Sequence, residues 1–140
     1  MLVKQLQLGT PLLYAFNVKN TPHLIKDIAD IPYNSKLRLA SFDIVNMYTT
    51  IPTNELLSII EMTCRNSYVE ENTKLDLIKI TTTLLEQNYF RFKNMTYLQP
   101  EGLAMGAPTS SILAEFYLQH LVYHKIYNLL LSHKVEGYFR

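Results

Sequence analysis

One segment near the middle of the chain constrains the fold more than any other. From Tyr89 to Leu98, aromatic and apolar residues alternate with polar ones on both sides of the pair Lys93-Asn94. A period of two is typical of β-strands, and two polar residues between two such runs are typical of a hairpin turn, although Lys-Asn is not among the strongest turn pairs. The segment therefore predicts two antiparallel strands joined by a tight turn.

Helical patterns lie on both sides of this hairpin. Apolar residues at helical spacing predict one helix over 52–66 and a second over 72–85, and a long third helix that begins at 109–111 and ends near Ser132. The stretch 37–44 is predicted to be a further strand with a carboxylate near its end. Strands and helices in this order predict an α+β fold, and no repeat or linker divides the chain into two domains.

Composition limits the classes of function. The chain has 140 residues, of which 48% are hydrophobic, and its net charge of +1 gives no overall attraction to nucleic acid. Its single cysteine, Cys64, excludes an internal disulfide. The apolar stretch 112–131 contains Glu115, Gln119 and Lys125, so it is predicted to be a core helix and not a membrane span. The N-terminus has no layout of a secretory signal, and an intracellular protein is expected.

Two segments combine residue types that carry chemistry. Asp43 ends an apolar run, where a carboxylate is available either to bind a metal or to cap a turn. The small residues of 102–111 lead directly into a helix. Such a loop lets a phosphate approach the main chain closely, but the same composition also occurs wherever a chain turns tightly into a helix. Neither segment alone decides between its two interpretations.

Taken together, the two segments resemble a known family. The string SFDIVNMYTTIP at 41–52 resembles motif A of reverse transcriptases, and GLAMGAPTSSILA at 102–114 resembles their motif B. Strings of this kind recur in Penelope-like retroelements. The resemblance implies that 37–140 is part of a polymerase palm, an incomplete antiparallel sheet covered by helices, and that 1–36 is an unassigned upstream segment at the boundary of fingers and palm.

In motif A, the resemblance assigns a role to three residues. Asp43 matches the catalytic aspartate that binds two Mg²⁺ ions, which prefer oxygen ligands. Ile44 would offer its main chain to the metal or the triphosphate, and Tyr48 matches the bulky residue beneath the incoming sugar. Because Tyr48 would exclude a 2′-hydroxyl, deoxynucleotides are the expected substrates.

In motif B, the resemblance assigns a role to four more. Met105 and Gly106 match the nucleotide-binding loop beneath the templating pair, and Pro108 and Ser110 begin the helix that supports template and primer. Many reverse transcriptases have glutamine at the position of Met105, so this chain lacks one polar contact there.

The family's third motif, an aromatic-x-Asp-Asp hairpin, is expected directly after Arg140 and does not occur in the sequence. The chain is therefore expected to be a fragment of an RNA-directed DNA polymerase that is inactive alone, with the position of a second metal-binding carboxylate undetermined. The implied partners are an RNA template, a DNA primer and deoxynucleoside triphosphates, and the implied location is the nucleus. The alternative is a non-catalytic module that binds nucleic acid or another protein.

The hairpin itself leaves two interpretations open. Its aromatic residues, with Arg91 and Lys93, would suit stacking on bases and contact with phosphates. Aromatic residues that alternate along a hairpin also commonly pack against a helix.

Overall fold

A computed structural model describes residues 16–140 of the protein. These residues form two compact units: one contains 45–120, and the second contains 16–44 together with 121–140. Residues 1–15, which include part of the predicted upstream segment and the stretch from which a secretory signal was excluded, lie outside the described residues. The predicted boundary between 36 and 37 stays a prediction.

The protein is a mixture of helices and a two-stranded antiparallel sheet, as predicted. In chain order, the elements are α1 (Thr21–Ala29), α2 (Met47–Thr50), α3 (Thr53–Arg65), α4 (Glu71–Glu86), β1 (Tyr89–Phe92), β2 (Met95–Leu98), α5 (Ser110–Leu121), a π-helical turn (Val122–Ile126) and α6 (Tyr127–Ser132). The predicted bounds of the helices at 52–66 and 72–85 and of the long helix to Ser132 are thus confirmed within two residues. In the part of the chain that the structure describes, no helix is long and apolar enough to cross a bilayer.

The hairpin forms as its sequence predicts. Tyr89 pairs with Leu98 and Phe92 with Met95, and the two turn residues have positive φ angles, 45° at Lys93 and 64° at Asn94. Two consecutive residues of positive φ are characteristic of a type I′ turn, whose twist matches that of the flanking strands. Asparagine tolerates this conformation well, so Lys-Asn suffices although it is a less common pair.

The core of the 45–120 unit is built by three helices and one loop. Helices α3 and α4 pack against each other, and α5 closes the core. Its buried residues are Ile51, Leu56, Ile60, Cys64, Leu77, Leu103, Leu113, Ala114 and Phe116. Leu103 comes from the loop before α5, so the loop that resembles motif B is anchored in the core.

In the second unit, main-chain hydrogen bonds join the two parts of the chain. The N–H of Val18 donates to the carbonyl of Arg140 at 2.8 Å, and the N–H of Arg140 donates to the carbonyl of Phe16 at 2.8 Å. The rings of Phe16 and Tyr138 meet edge to face, with their centroids 5.2 Å apart. These contacts hold the last residues of the chain beside Phe16 and Val18.

Two details of the predicted sheet are corrected. The stretch 37–44 is not a strand, and Leu39 and Phe42 on it are more than nine-tenths exposed. A strand needs a neighbour for its main-chain hydrogen bonds, and within 16–140 this stretch has none in a sheet. The β1–β2 hairpin is not covered by helices either, because every residue of both strands is exposed.

One buried polar group in the core leads to a stability prediction. The Thr81 hydroxyl is fully buried and has no hydrogen-bond partner among the described residues. Because a buried hydroxyl without a partner costs about 1–3 kcal/mol, Thr81→Val is expected to raise the free energy of unfolding by about 1 kcal/mol. The measurement is the urea midpoint of both proteins. The control is Thr82→Val, which removes a hydroxyl that donates to the carbonyl of Ile78 at 2.9 Å and should give no gain. A lower midpoint for Thr81→Val would contradict the prediction.

Candidate functional site

The segments that resemble motif A and motif B meet through the main chain in the 45–120 unit. The N–H of Leu103 donates to the carbonyl of Tyr48 at 2.6 Å. Tyr48 lies on α2, is partly buried and packs with Met47 against the core. Residues that are distant in sequence are thereby held in a fixed relation, with the main chain of Tyr48 beside the loop that precedes α5.

Gly102 makes this junction possible. Its φ angle is +80°, and a Cβ atom there would lie 2.6 Å from both the Cα and the carbonyl oxygen of Thr49. A residue with a side chain would be strained by the φ angle and would also collide with the main chain of α2. Only glycine allows the two segments to approach this closely.

Polar side chains at the base of the hairpin hold the loop in place. Asn88 is buried, and its side-chain amide donates to the main-chain carbonyl of Gly102 at 3.2 Å. The main-chain carbonyl of Asn88 accepts from the main-chain N–H of Gln99 at 2.8 Å. The Gln99 side chain donates to the carbonyl of Glu101 at 2.9 Å. Sequence analysis missed both amides, and their only signal is that one precedes β1 and the other follows β2.

The start of the loop is also attached to α3. Pro52 at the N-cap of α3 makes no side-chain hydrogen bond. The carboxylate of Glu101 instead accepts from the hydroxyl of Thr53 at 3.1 Å and from its N–H at 3.4 Å. A carboxylate at a helix N-terminus is favourable because the helix dipole is positive there, so Glu101 serves as the cap from a distant segment.

The tip of the loop is exposed and its far end is fixed. Met105 and Gly106 are exposed, and Gly106 has a φ angle of +91° with open space where a Cβ would stand. Pro108 is exposed as well, whereas Ser110 is buried and its hydroxyl donates to the carbonyl of Ala104 at 2.7 Å. Of the four residues predicted from motif B, three therefore face solvent, and Ser110 closes the loop.

The remaining two predicted residues belong to the second unit. Asp43 is exposed, and its Oδ1 accepts from the N–H of Ile44 at 2.9 Å, a local arrangement of the kind that aspartate makes in turns. Ile44 is half-exposed.

The residues described do not by themselves form a site for two Mg²⁺ ions. Within 16–140, no group of three or more His, Cys, Asp or Glu side chains is placed to hold a metal ion. One carboxylate, Asp43, does not provide the set of oxygen ligands that two adjacent ions require. We therefore assign no reaction step to a metal ion on these residues.

A cleft of about 190 Å³ lies beside the loop within the 45–120 unit. Its lining includes Asn88, Tyr89, Ala107 and Thr109. Pockets that enclose a small molecule commonly measure about 300–1,000 Å³, so this cleft is too small to enclose a nucleotide.

Comparisons with protein-family models, curated proteins and solved structures give no match to this chain. The resemblance to reverse transcriptases therefore depends on the two sequence motifs.

Proposed function

We propose that this chain is part of an RNA-directed DNA polymerase, the part that positions the incoming deoxynucleotide and the template–primer. The observation that carries the proposal is the hydrogen bond of 2.6 Å between the Leu103 N–H and the Tyr48 carbonyl. It joins the two segments that resemble motifs A and B. A polymerase of this family needs both segments in contact with the same incoming nucleotide. The RNA template, the DNA primer, the deoxynucleotides and a nuclear location are parts of this proposal.

Tyr48 supports the choice of deoxynucleotides. Its side chain packs against the core and its main chain is bonded to Leu103, so the position of the residue is fixed from two sides. A fixed aromatic ring beside the sugar leaves no space for a 2′-hydroxyl, whereas a mobile one would yield to it. In this proposal the ring selects the sugar by steric exclusion.

The loop tip supports contact with the base pair. Gly106 has open space around it, and Met105 beside it is exposed, so both the main chain and an apolar side chain are available to a ligand. The hydrogen bond from Asn88 to Gly102 and the one from Ser110 to Ala104 fix the loop on either side of its tip. Such a loop presents a small, preformed surface at low entropic cost.

Primer extension on poly(rA)/oligo(dT) with Mg²⁺ and dTTP tests the proposal. It compares the 140-residue chain, an extended protein in which an aromatic-x-Asp-Asp hairpin is joined after Arg140, and Asp43→Asn in both. We expect synthesis only from the extended protein and its loss in the Asp43→Asn variant, because the amide replaces a charged metal ligand. Folded extended protein without any synthesis would overturn the proposal in favour of a non-catalytic module, and synthesis that survives Asp43→Asn would overturn the role assigned to Asp43.

The role of Tyr48 has a separate prediction. In the extended protein, Tyr48→Val is expected to lower the preference for dTTP over UTP by about tenfold or more, because it removes the ring that excludes the 2′-hydroxyl. Tyr48→Phe keeps the ring and should keep the preference, which separates steric exclusion from hydrogen bonding. The measurement is the ratio of kcat/KM for the two nucleotides, and an unchanged ratio in Tyr48→Val would refute the assigned role.

A further inference from the structure

One face of the β1–β2 hairpin is apolar throughout and open to solvent. Phe90 pairs with Tyr97 and Phe92 with Met95, and because side chains alternate along a strand, these four residues share one face. Their exposed fractions are 50%, 37%, 57% and 58% respectively. We call these four residues the aromatic face. None of the four is buried beneath a helix, which is the more common arrangement of an aromatic hairpin.

Two rings of the aromatic face are stacked across the strands, and a cation lies beside the third. Phe90 and Tyr97 are stacked, with centroids 5.4 Å apart and an angle of 19° between the ring planes. The ammonium group of Lys93 lies 5.4 Å from the centroid of the Phe92 ring. The hairpin thus presents nearly parallel rings with a cation beside them.

Positive charge is concentrated at the turn end of this hairpin. Between Gln87 and Pro100 the only charged residues are Arg91 and Lys93. The guanidinium of Arg91 donates to the side chain of Asn94 at 3.3 Å, which places it at the turn. The hairpin carries two positive charges in a chain whose net charge is only +1. Lys93 is the one beside the aromatic face, because Arg91 alternates onto the opposite face of the hairpin.

Charge decides which kind of partner fits this surface. A second copy of the chain, placed face to face, would bring two ammonium groups, one Lys93 from each copy, into the same apolar interface, and their like charges would disfavour the pair. A polyanion would be attracted, and flat exposed rings bind the faces of bases. Base faces are accessible in single strands but are stacked inside a duplex.

We propose that the aromatic face binds single-stranded nucleic acid, with bases stacked on Phe90, Phe92 and Tyr97 and a phosphate near Lys93. Each strand has four residues, or about 13 Å at about 3.3 Å per residue. That length accommodates two or three stacked bases, as on other aromatic sheet surfaces. The proposal stands on the hairpin alone and does not depend on polymerase activity.

The test is binding of a fluorescein-labelled oligo(dT) 12-mer and an oligo(U) 12-mer to the 140-residue chain, measured by fluorescence anisotropy at low salt. Tyr97→Ala is expected to raise the Kd by about fivefold or more, because one stacking surface is lost. Tyr89→Ala is the matched control. It removes the same side chain, 59% exposed, from the opposite face of the same hairpin, and should leave the Kd unchanged.

Two further variants separate stacking and charge from folding. Phe90→Trp keeps a ring and introduces the only tryptophan, so binding is retained and the tryptophan fluorescence is quenched when a base stacks on it. Lys93→Gln should reduce the slope of log Kd against log salt concentration by about 0.7, the contribution of one phosphate contact on a single strand.

Three outcomes of these measurements would contradict binding of single-stranded nucleic acid to the aromatic face. Equal Kd values for Tyr97→Ala and Tyr89→Ala, or no anisotropy change with either oligonucleotide, would overturn the proposal. Sedimentation that shows a dimer abolished by Tyr97→Ala, without oligonucleotide binding, would identify a second copy as the partner. Asp43→Asn is expected to abolish primer extension and to leave oligonucleotide binding to the hairpin unchanged. Failure of one proposal is therefore distinguishable from failure of the other.

Discussion

Gly102→Ala is expected to lower the free energy of unfolding of the 45–120 unit by about 3 kcal/mol or more. The new Cβ would lie 2.6 Å from main-chain atoms of Thr49, which cannot rotate away as a side chain would, and the φ angle of +80° adds strain. Relief requires that α2 move away from the loop, which breaks the hydrogen bond between Leu103 and Tyr48. The substitution should therefore separate the two motif segments as well as destabilise the unit.

Cys64 provides the measurement. It is the only cysteine, it is buried in this core, and desolvation by burial raises the pKa of its thiol, so it reacts with a disulfide reagent only when the core opens. If the free energy of unfolding falls by about 3 kcal/mol, the rate at which the reagent labels Cys64 should rise by about 100-fold or more.

Gly106→Ala is the control for Gly102→Ala. Its φ angle of +91° is as unfavourable for alanine, but nothing lies within 4 Å of the added Cβ. Gly106→Ala should lower the free energy of unfolding only by the conformational strain, about 1–2 kcal/mol. If the two alanine variants label Cys64 at the same rate, the close contact with Thr49 is not what makes Gly102 necessary.

Phe116→Ala is expected to destabilise the same unit by about 3–5 kcal/mol. Phe116 on α5 is the largest of the fully buried side chains, 1% exposed, and its removal leaves a cavity between α5 and the rest of the core. The rate of Cys64 labelling should rise by at least 100-fold.

Phe90→Ala is the matched control for this second prediction. It removes the same side chain from the aromatic face, where half of it is already exposed, and should change the free energy of unfolding by no more than about 1 kcal/mol. Equal labelling rates in the two variants would show that α5 does not close the core as described. A small effect of Phe90→Ala also fits a role of the aromatic face in binding and not in folding.

Local patterns determined the elements of this protein. The alternation around Lys93-Asn94 was enough to predict the hairpin and its turn, and the apolar period was enough to predict α3, α4 and the long helix, because these signals act between residues that are close in sequence. The sequence also singled out Tyr48 and the loop tip at Met105 and Gly106 through the two motifs.

Only the tertiary structure decided which of these residues meet. The contact of Gly102 with Thr49, the bracing by Asn88 and the capping of α3 by Glu101 join segments that are far apart in the chain. No periodicity encodes such contacts, because they depend on how whole elements pack. The stretch 37–44 shows the same limit: its residues suit a strand, but a strand forms only where a neighbour accepts its hydrogen bonds. Propensity is local, whereas pairing and burial are properties of the assembled chain.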